Sequence, residues 1–321
     1  MNTQKGSFTI SLDFELFWGV RDKRTTDSYK NNLEGTVEVI PKLLDIFKQY
    51  NIHVTWATVG LLLNKNIEKL KENIPQEIPD YENELFNPYG YIQELSNAKN
   101  LQQYHCARNI IQNIMQVKNQ EIGTHTYSHF YCLEKNRNKN SFDEDLNKAI
   151  EISSELDLTI DSIVFPRNQV NNQFISILQE KGIKIFRGNP THWAYREGEI
   201  NKSLFQRIFR FVDTYVNISG NHISEPLTTL TVTECKSSMF LRPYSQKLNL
   251  LEKLKINRIK NAMTQAAKEN KNFHLWWHPH NFGINQTQNL QNLHNILLHY
   301  KYLNERYGMK SLNMRELITN G

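Results

Sequence analysis

Cysteine is scarce. The 321 residues contain three, Cys106, Cys132 and Cys235, far apart and without a CxxC pair. That excludes a disulfide scaffold and a cysteine zinc site, and it fits a reducing cytoplasm. No run approaches the roughly 18 apolar residues of a membrane span. The opening MNTQKG passes directly into FTISLDFELFWG, without the charged, apolar and small-residue succession of an export signal. A cytoplasmic location is therefore expected, with a substrate made or handled inside the cell. Neither sign of charge dominates, since 38 Lys and Arg against 33 Asp and Glu leave +5, too little to indicate nucleic acid. Internal repeats and low-complexity tracts are missing too. What is there, 39% hydrophobic and 11% aromatic residues at a mean hydropathy of −0.60, describes a globular chain more polar than average and excludes disorder throughout. The length admits two domains of about 150 residues each or one large α/β barrel with insertions.

Short apolar runs rich in β-branched and aromatic residues alternate with segments of helical period, the pattern of βα units around a parallel sheet. Strands are expected at 8–17, 53–60, 121–126, 162–166, 184–187, 230–233 and 273–278, enough for a barrel. Helices are expected at 37–50, 102–116, 142–156, 172–181, 248–270 and 289–307. Ser141 with Glu144 forms a capping-box pattern for the third helix, and Gly182 is the expected stop of the fourth. Residues 65–100, with Pro75, Pro79 and Pro88, and residues 189–226 fit the rhythm badly. Neither has the apolar content for its own core, so both are expected as insertions on one barrel spanning 1–321.

The most informative segment is Glu-Ile-Gly-Thr-His-Thr-Tyr-Ser-His at 121–129. His125 and His129 are four apart, so a helix after the strand would put both imidazoles on one face, able to share a metal ion. Gly123 allows close backbone approach at the strand end, and Thr126 is placed to bond a ring nitrogen or shape the loop. In Ser-Leu-Asp-Phe-Glu, alternation sets Asp13 and Glu15 on the same face, offering a third ligand and a base. Flanked by Ile10, Leu12, Phe14, Leu16, Phe17 and Trp18, these acids need a cation, either an arginine or a metal. Phe-Pro-Arg-Asn at 165–168 supplies Arg167 as a candidate partner, and Trp-Trp-His-Pro-His at 276–280 supplies His278 and His280. In a parallel barrel these four strand ends meet at one mouth.

The order Asp13-Phe-Glu15, His125-Thr-Tyr-Ser-His129, Phe-Pro-Arg167 and His278-Pro resembles the polysaccharide deacetylases of the NodB-homology group, carbohydrate esterase family 4, as a divergent member. Leu312-Asn-Met-Arg-Glu-Leu317 resembles the family's closing strand and helix. The resemblance implies a distorted (β/α)7 barrel and metal-dependent hydrolysis of an N-acetyl group on a sugar of a surface glycan or its precursor. Phe14 stands where many members have a second aspartate, so the carry-over makes Asp13 the base and Glu15 the metal ligand beside His125 and His129, the two roles being exchangeable. Arg167 then positions Asp13, His278 protonates the departing amine, and a backbone N–H near Tyr127 holds the oxyanion. Arg187, His192 and Trp193 occupy the region of the family's aspartate-tryptophan motif, which is not evident, and are candidate substrate contacts with Trp18, Tyr127 and His280. Trp276 and Trp277 are further candidate walls for a sugar ring. Zinc is the expected metal, and cobalt, iron or nickel would accept the same ligands.

Two other readings compete: hydrolysis of a cyclic amide or ureide by an allantoinase-like branch, and a noncatalytic carbohydrate-binding relative. Residues 247–260 carry Lys247, Lys253, Lys255, Arg258 and Lys260 among leucines and isoleucines. They are expected as a barrel helix with its lysines in water, a weak membrane-surface contact being the alternative.

Overall fold

The computed structural model describes residues 5–196, 198, 204–229 and 231–319. Among these, ten strands form one mostly parallel sheet: β1 Ser7–Phe14, β2 Val54–Thr58, β3 Gln120–Thr124, β4 Ser162–Ile163, β5 Ile185–Gly188, β6 Leu227–Thr229, β7 Val232–Lys236, β8 Met239–Phe240, β9 Asn272–Trp277 and β10 Lys310–Ser311. Their order is β6-β7-β5-β4-β3-β2-β1-β9-β8, with β10 on β1. Only the β6–β7 pair is antiparallel.

The two ends of this order are continuous in the chain. Only Ser237 and Ser238 separate β7 from β8. The Ser237 N–H donates to the Gly188 carbonyl at 2.9 Å, prolonging the pairing with β5, and the Ser238 N–H donates to the His274 carbonyl at 2.8 Å, beginning the pairing with β9. One bent strand thus bridges both edges and closes the sheet into a barrel of β1, β2, β3, β4, β5, β7 with β8, and β9, the distorted (β/α)7 form. β6 and β10 are additions at its margin. The helix Met314–Thr319 closes one end, with Met314 and Leu317 packed on Ala57, Ile185 and Cys235.

β1 is buried along its whole length, yet it alternates chemically. Phe8, Ile10, Leu12 and Phe14 join the apolar layer under the helices, while Ser7, Thr9, Ser11 and Asp13 face a polar lumen. There, Ser7 and Thr9 hydroxyls donate to Asn272 Oδ1, and the His274 ring meets Ser11 Oγ at 2.8 Å and Cys235 Sγ at 3.4 Å. A strand covered on both faces shows this alternation only when the barrel interior is itself polar.

Each expected strand has a counterpart, though β7 lies later than 230–233 and Leu230 is outside the described residues. The helices differ more. The first runs Thr26–Tyr50, capped by a reciprocal Thr25–Ser28 box, so its polar first turns extend well beyond the apolar stripe at 37–50. Segment 102–116 is two helices, Lys99–His105 and Arg108–Met115. The break follows from tertiary bonds, because Trp18 Nε1 donates to the His105 carbonyl and the Ala107 N–H to the Leu62 carbonyl. Asn138, not Ser141, caps the helix Lys139–Ser154, its side chain accepting from the Ser141 N–H at 2.7 Å. Gly182 ends its helix as expected, at φ +74°. In 247–260 the α-helix begins at Glu252, and two of the five cations turn inward. Lys255 binds Glu252 and the Arg242 carbonyl, and Arg258 binds Asn221 and the Gly220 carbonyl. No helix among the described residues is long and apolar enough to cross a membrane.

The first helix also sets the position of the loop after β9. A Cβ on Gly35 would fall 1.9 Å from the Gly283 carbonyl oxygen, and Asn32 Nδ2 donates to the His280 carbonyl at 2.9 Å. In an exposed helix, Gly→Ala gains about 1 kcal/mol. Here the backbone contact decides the sign: Gly35→Ala is expected to lose about 1–3 kcal/mol in urea unfolding and to weaken function through the displaced 278–283 segment.

Candidate active site

β1 delivers Asp13 at its end and Glu15 just beyond, both almost fully buried at 2% and 4% exposure. The chain then turns at Leu16, φ +44°. Asp13 is gripped by Arg187 at the end of β5: Nη1 donates to Oδ1 at 2.7 Å and Nη2 to Oδ2 at 2.8 Å. Arg187, 1% exposed, also donates to Ser11 Oγ and Asn168 Oδ1 and lies over the Trp276 ring at 4.3 Å. Burial pushes the Asp13 carboxyl up, but Arg187, helped by His125 and His278, outweighs it and holds the carboxyl below its ordinary range.

The partner expected for Asp13 was Arg167, and this is corrected. Arg167 pairs with Asp22 at 2.6 Å and stacks over Tyr131. Its backbone and that of Asn168 turn through φ +54° and +55°, which sends Arg167 away from Asp13 and brings Asn168 to Arg187.

Glu15 meets the histidines. His129 Nε2 lies 3.0 Å and His125 Nε2 3.4 Å from Glu15 Oε2, and the three candidate ligand atoms fall within 4.8 Å of one another. The imidazoles converge, but not through a helix. Residues 125–130 form a loop in which Thr126 and His129 both take φ +61°. Thr126 Oγ1 accepts from the Phe130 N–H, and buried Asp145 accepts from the N–H groups of Tyr127 and Ser128. Burial lifts the Asp145 carboxyl to about 6 against those bonds. At the strand end, a Cβ on Gly123 would lie 2.3 Å from Ser162 Oγ, the close approach the glycine implied.

The donor set fits a divalent cation. His125 Nδ1 lies 2.7 Å from the Val164 carbonyl, which fixes this nitrogen as the N–H, while Nε2 is buried with no hydrogen-bond partner. Burial pulls His129 down to about 4, so its ring is neutral. Burial pushes Glu15 up, but His278, His125 and His129 together hold it well below the carboxylate range. A neutral His129 imidazole, the unpartnered Nε2 of His125 and an ionised carboxylate are donors in a form that binds metal.

His278, partly exposed, stands at the mouth with Nε2 3.7 Å from Asp13 Oδ2 and 3.6 Å from Glu15 Oε1. Its ring stacks on buried His280, whose Nε2 is 3.9 Å from Glu15 Oε1. Burial lowers His280 to about 3.

Some of the other expected contacts are corrected by their surroundings. Trp18 is buried against Tyr91 and His105 and is no wall of the mouth. Tyr127 is buried with its hydroxyl on the Asn73 carbonyl, and its N–H, the expected oxyanion donor, is already given to Asp145. Trp277 packs in the core on Phe282, whereas Trp276 stays at the mouth. His192 and Trp193 stack on Phe209 and Phe205 of the helix Leu204–Asp213. Arg187 serves Asp13 rather than standing free for substrate. Asn168 and Asp145, neither expected from sequence, emerge as supports of Arg187 and of the histidine loop. A buried acid at helical spacing in 142–156 was the available signal for Asp145.

Residues 27–186 match the family model described as polysaccharide deacetylase. This span holds His125, His129 and Arg167, begins after Asp13 and Glu15, and ends one residue before Arg187. No curated protein matches the chain at a significant level. Among solved structures, a Mycobacterium smegmatis protein assigned as a polysaccharide deacetylase superposes with a TM-score of 0.62 at 12% identity, over 99% of this chain and 90% of its own. One so assigned from Pseudomonas aeruginosa PAO1 gives 0.55 at 11%, over 98% and 89%. The α-amylase AmyC of Thermotoga maritima gives 0.59 at 10%, over 98% and 74%. At these identities the likenesses show the fold alone. Through residues 27–186, the chain belongs to the polysaccharide deacetylase family.

Proposed function

We propose that the protein is a metal-dependent deacetylase that hydrolyses the N-acetyl group of a sugar in a surface glycan or its intracellular precursor. The observation that carries this reading is the convergence of Glu15, His125 and His129 beside a separate carboxylate, Asp13, whose oxygens are already engaged by Arg187. Such a set of three ligands leaves positions open, as catalytic rather than structural zinc requires. Cobalt, iron or nickel would suit the same donors. A divalent ion held there would acidify a water and polarise the acetyl carbonyl.

Asp13 accepts the proton of the attacking water. Arg187 orients its carboxylate and keeps it ionised, and burial of the pair restricts Asp13 to one approach from the mouth. His278 returns a proton to the nitrogen as the C–N bond breaks, so that an amine and not an amide anion departs with acetate. Its position between both carboxylates and solvent suits that transfer. Trp276, beside Arg187 at the mouth, offers an apolar face to a sugar ring. The three free cysteines support placing the reaction in the reducing cytoplasm.

The reading is tested by acetate release from N-acetylated hexosamines with elemental analysis of the protein. His125→Ala with His129→Ala is expected to abolish metal retention, while Asp13→Asn retains metal and loses about 10²–10⁴-fold in kcat. Acetate release that survives both chelation and Asp13→Asn overturns the scheme, as does ring opening of a cyclic amide without acetate release. Arg187→Lys replaces a fork with a point charge. Asp13 must be ionised to act, so a raised pKa makes activity fall off at higher pH: the acid limb of kcat/KM should move upward relative to wild type. Asp145→Ala leaves two buried N–H groups unpaired, so a stability loss of about 1–3 kcal/mol is expected together with weaker metal retention. Calorimetric metal titration reads the second effect.

A further inference from the structure

A second cavity, of about 520 Å³, opens beside the mouth, sharing Asn168 and Trp276 with the surroundings of Arg187. Arg207 and Arg210, from the helix Leu204–Asp213, line it together with Arg242, which follows β8. Among the described residues none of these three guanidinium groups has an ion-pair partner, and Arg242 Nε is buried without a hydrogen bond. The acid in the lining, Asp213, is already committed: it accepts from the Tyr195 hydroxyl at 2.7 Å and from the Ile218 and Ser219 N–H groups, and it lies 3.7 Å from Arg258. Lys255 is likewise held by Glu252 at 2.7 Å. Three cations therefore converge on a concave site, and no uncommitted anion among the described residues stands in its lining. Burial, then the proximity of Arg207 and Arg242, lowers Arg210 from its ordinary value, with only Tyr195 opposing, as expected of like charges gathered without a counter-ion.

Planar guanidinium forks match the oxygens of phosphate, and one carboxylate has too few oxygens to engage three of them. Met239, Phe240 and Trp276 in the lining are apolar and suit the non-ionic part of a ligand. The geometry points to a phosphate subsite: the sugar whose N-acetyl group reaches Asp13 carries a phosphate or diphosphate that seats on Arg207, Arg210 and Arg242. This rests on the deacetylase reading for the reacting group, while the anion site stands on its own residues. The diphosphate could join the sugar to a nucleoside or to a lipid, and the chemistry at the arginines is the same.

The test begins without turnover. Inorganic pyrophosphate is titrated calorimetrically into the full chain in the presence of chelator. Saturable binding is expected, weakened about tenfold or more by Arg242→Gln or by Arg207→Gln with Arg210→Gln, largely retained in Arg242→Lys, and unchanged in Asp13→Asn. Thermal melts identify any variant that fails to fold, and the single variants stand in for a combination that does. Absence of binding at millimolar pyrophosphate, or binding indifferent to all three arginines, overturns the subsite. Acetate release is then compared for N-acetylglucosamine, its uridine diphosphate conjugate and its prenyl diphosphate conjugate in detergent micelles. A KM advantage for either conjugate that the arginine variants remove supports the proposal and identifies the source of the phosphate. Equal KM values for conjugated and free sugar overturn it. Pyrophosphate binding with no acetate release from any of them would instead sink the deacetylase reading and leave the anion site standing.

Discussion

Everything at the mouth depends on the buried pair of Asp13 and Arg187. Taking both charges out of water is costly, and the mutual attraction repays that cost only when the geometry is good and the remaining donors are satisfied. The geometry is good and most donors are used: two parallel bonds of 2.7 and 2.8 Å join the forks, and Ser11 and Asn168 take further N–H groups of the arginine, while Nε alone is buried without a hydrogen bond. The Trp276 face supplies a cation–π contact on the remaining side. Ser11 is in turn bonded to His274, and His274 to Cys235, which accepts from Asn272 Nδ2. The polar lumen is thus the support of one ion pair, and its polarity is a requirement of the pair.

The pair also depends on barrel closure. Asp13 and Arg187 belong to β1 and β5, which are separated in the sheet by β2, β3 and β4. In an open sheet their side chains would diverge. Closure through the bent strand containing Ser237 and Ser238 brings them together across the lumen and places His274 of β9 beneath both. The outer face of the same strands is filled by Phe8, Ile10, Leu12, Trp56 and Trp277 against the helices. Each strand thus carries its apolar residues outward for stability and its polar residues inward for chemistry.

This division explains what could be read from the chain alone. Seven strands, their parallel βα order and the clusters at 13–15, 125–129 and 278–280 are local patterns, and the structure gathers those clusters at one mouth. The choice between Arg167 and Arg187 is not local. It turns on positive φ at Arg167 and Asn168 and on closure across the lumen, neither of which the motif Phe-Pro-Arg-Asn announces. The spacing of His125 and His129 pointed to convergence for a helical reason, whereas a loop with Thr126 and His129 in the left-handed region brings it about. Left-handed residues also occur at Leu16, so the ends of β1, β3 and β4 all spend backbone strain to aim functional groups. Trp18 was misread because an aromatic after an acidic motif looks the same in sequence whether it faces a ligand or the helix Lys99–His105.

The same constraint separates the two acids, whose roles sequence left exchangeable. Both are buried and two residues apart, but Asp13 ends the strand inside the lumen and Glu15 follows it onto the rim. Arg187 occupies one lone-pair direction on each Asp13 oxygen, so Asp13 is ionised, oriented and left with limited room for another strong partner. Among the described residues no arginine forms an ion pair with Glu15. Its Oε2 faces two imidazole nitrogens at 3.0 and 3.4 Å, and the larger countercharge it needs is supplied by the histidines only if they are protonated, or by a cation among them. Burial opposes protonation of His129, which leaves the cation as the better solution. The carboxylate with a permanent partner is suited to handle protons, and the one that lacks it is suited to bind metal, so a single buried arginine favours both assignments within the proposed function.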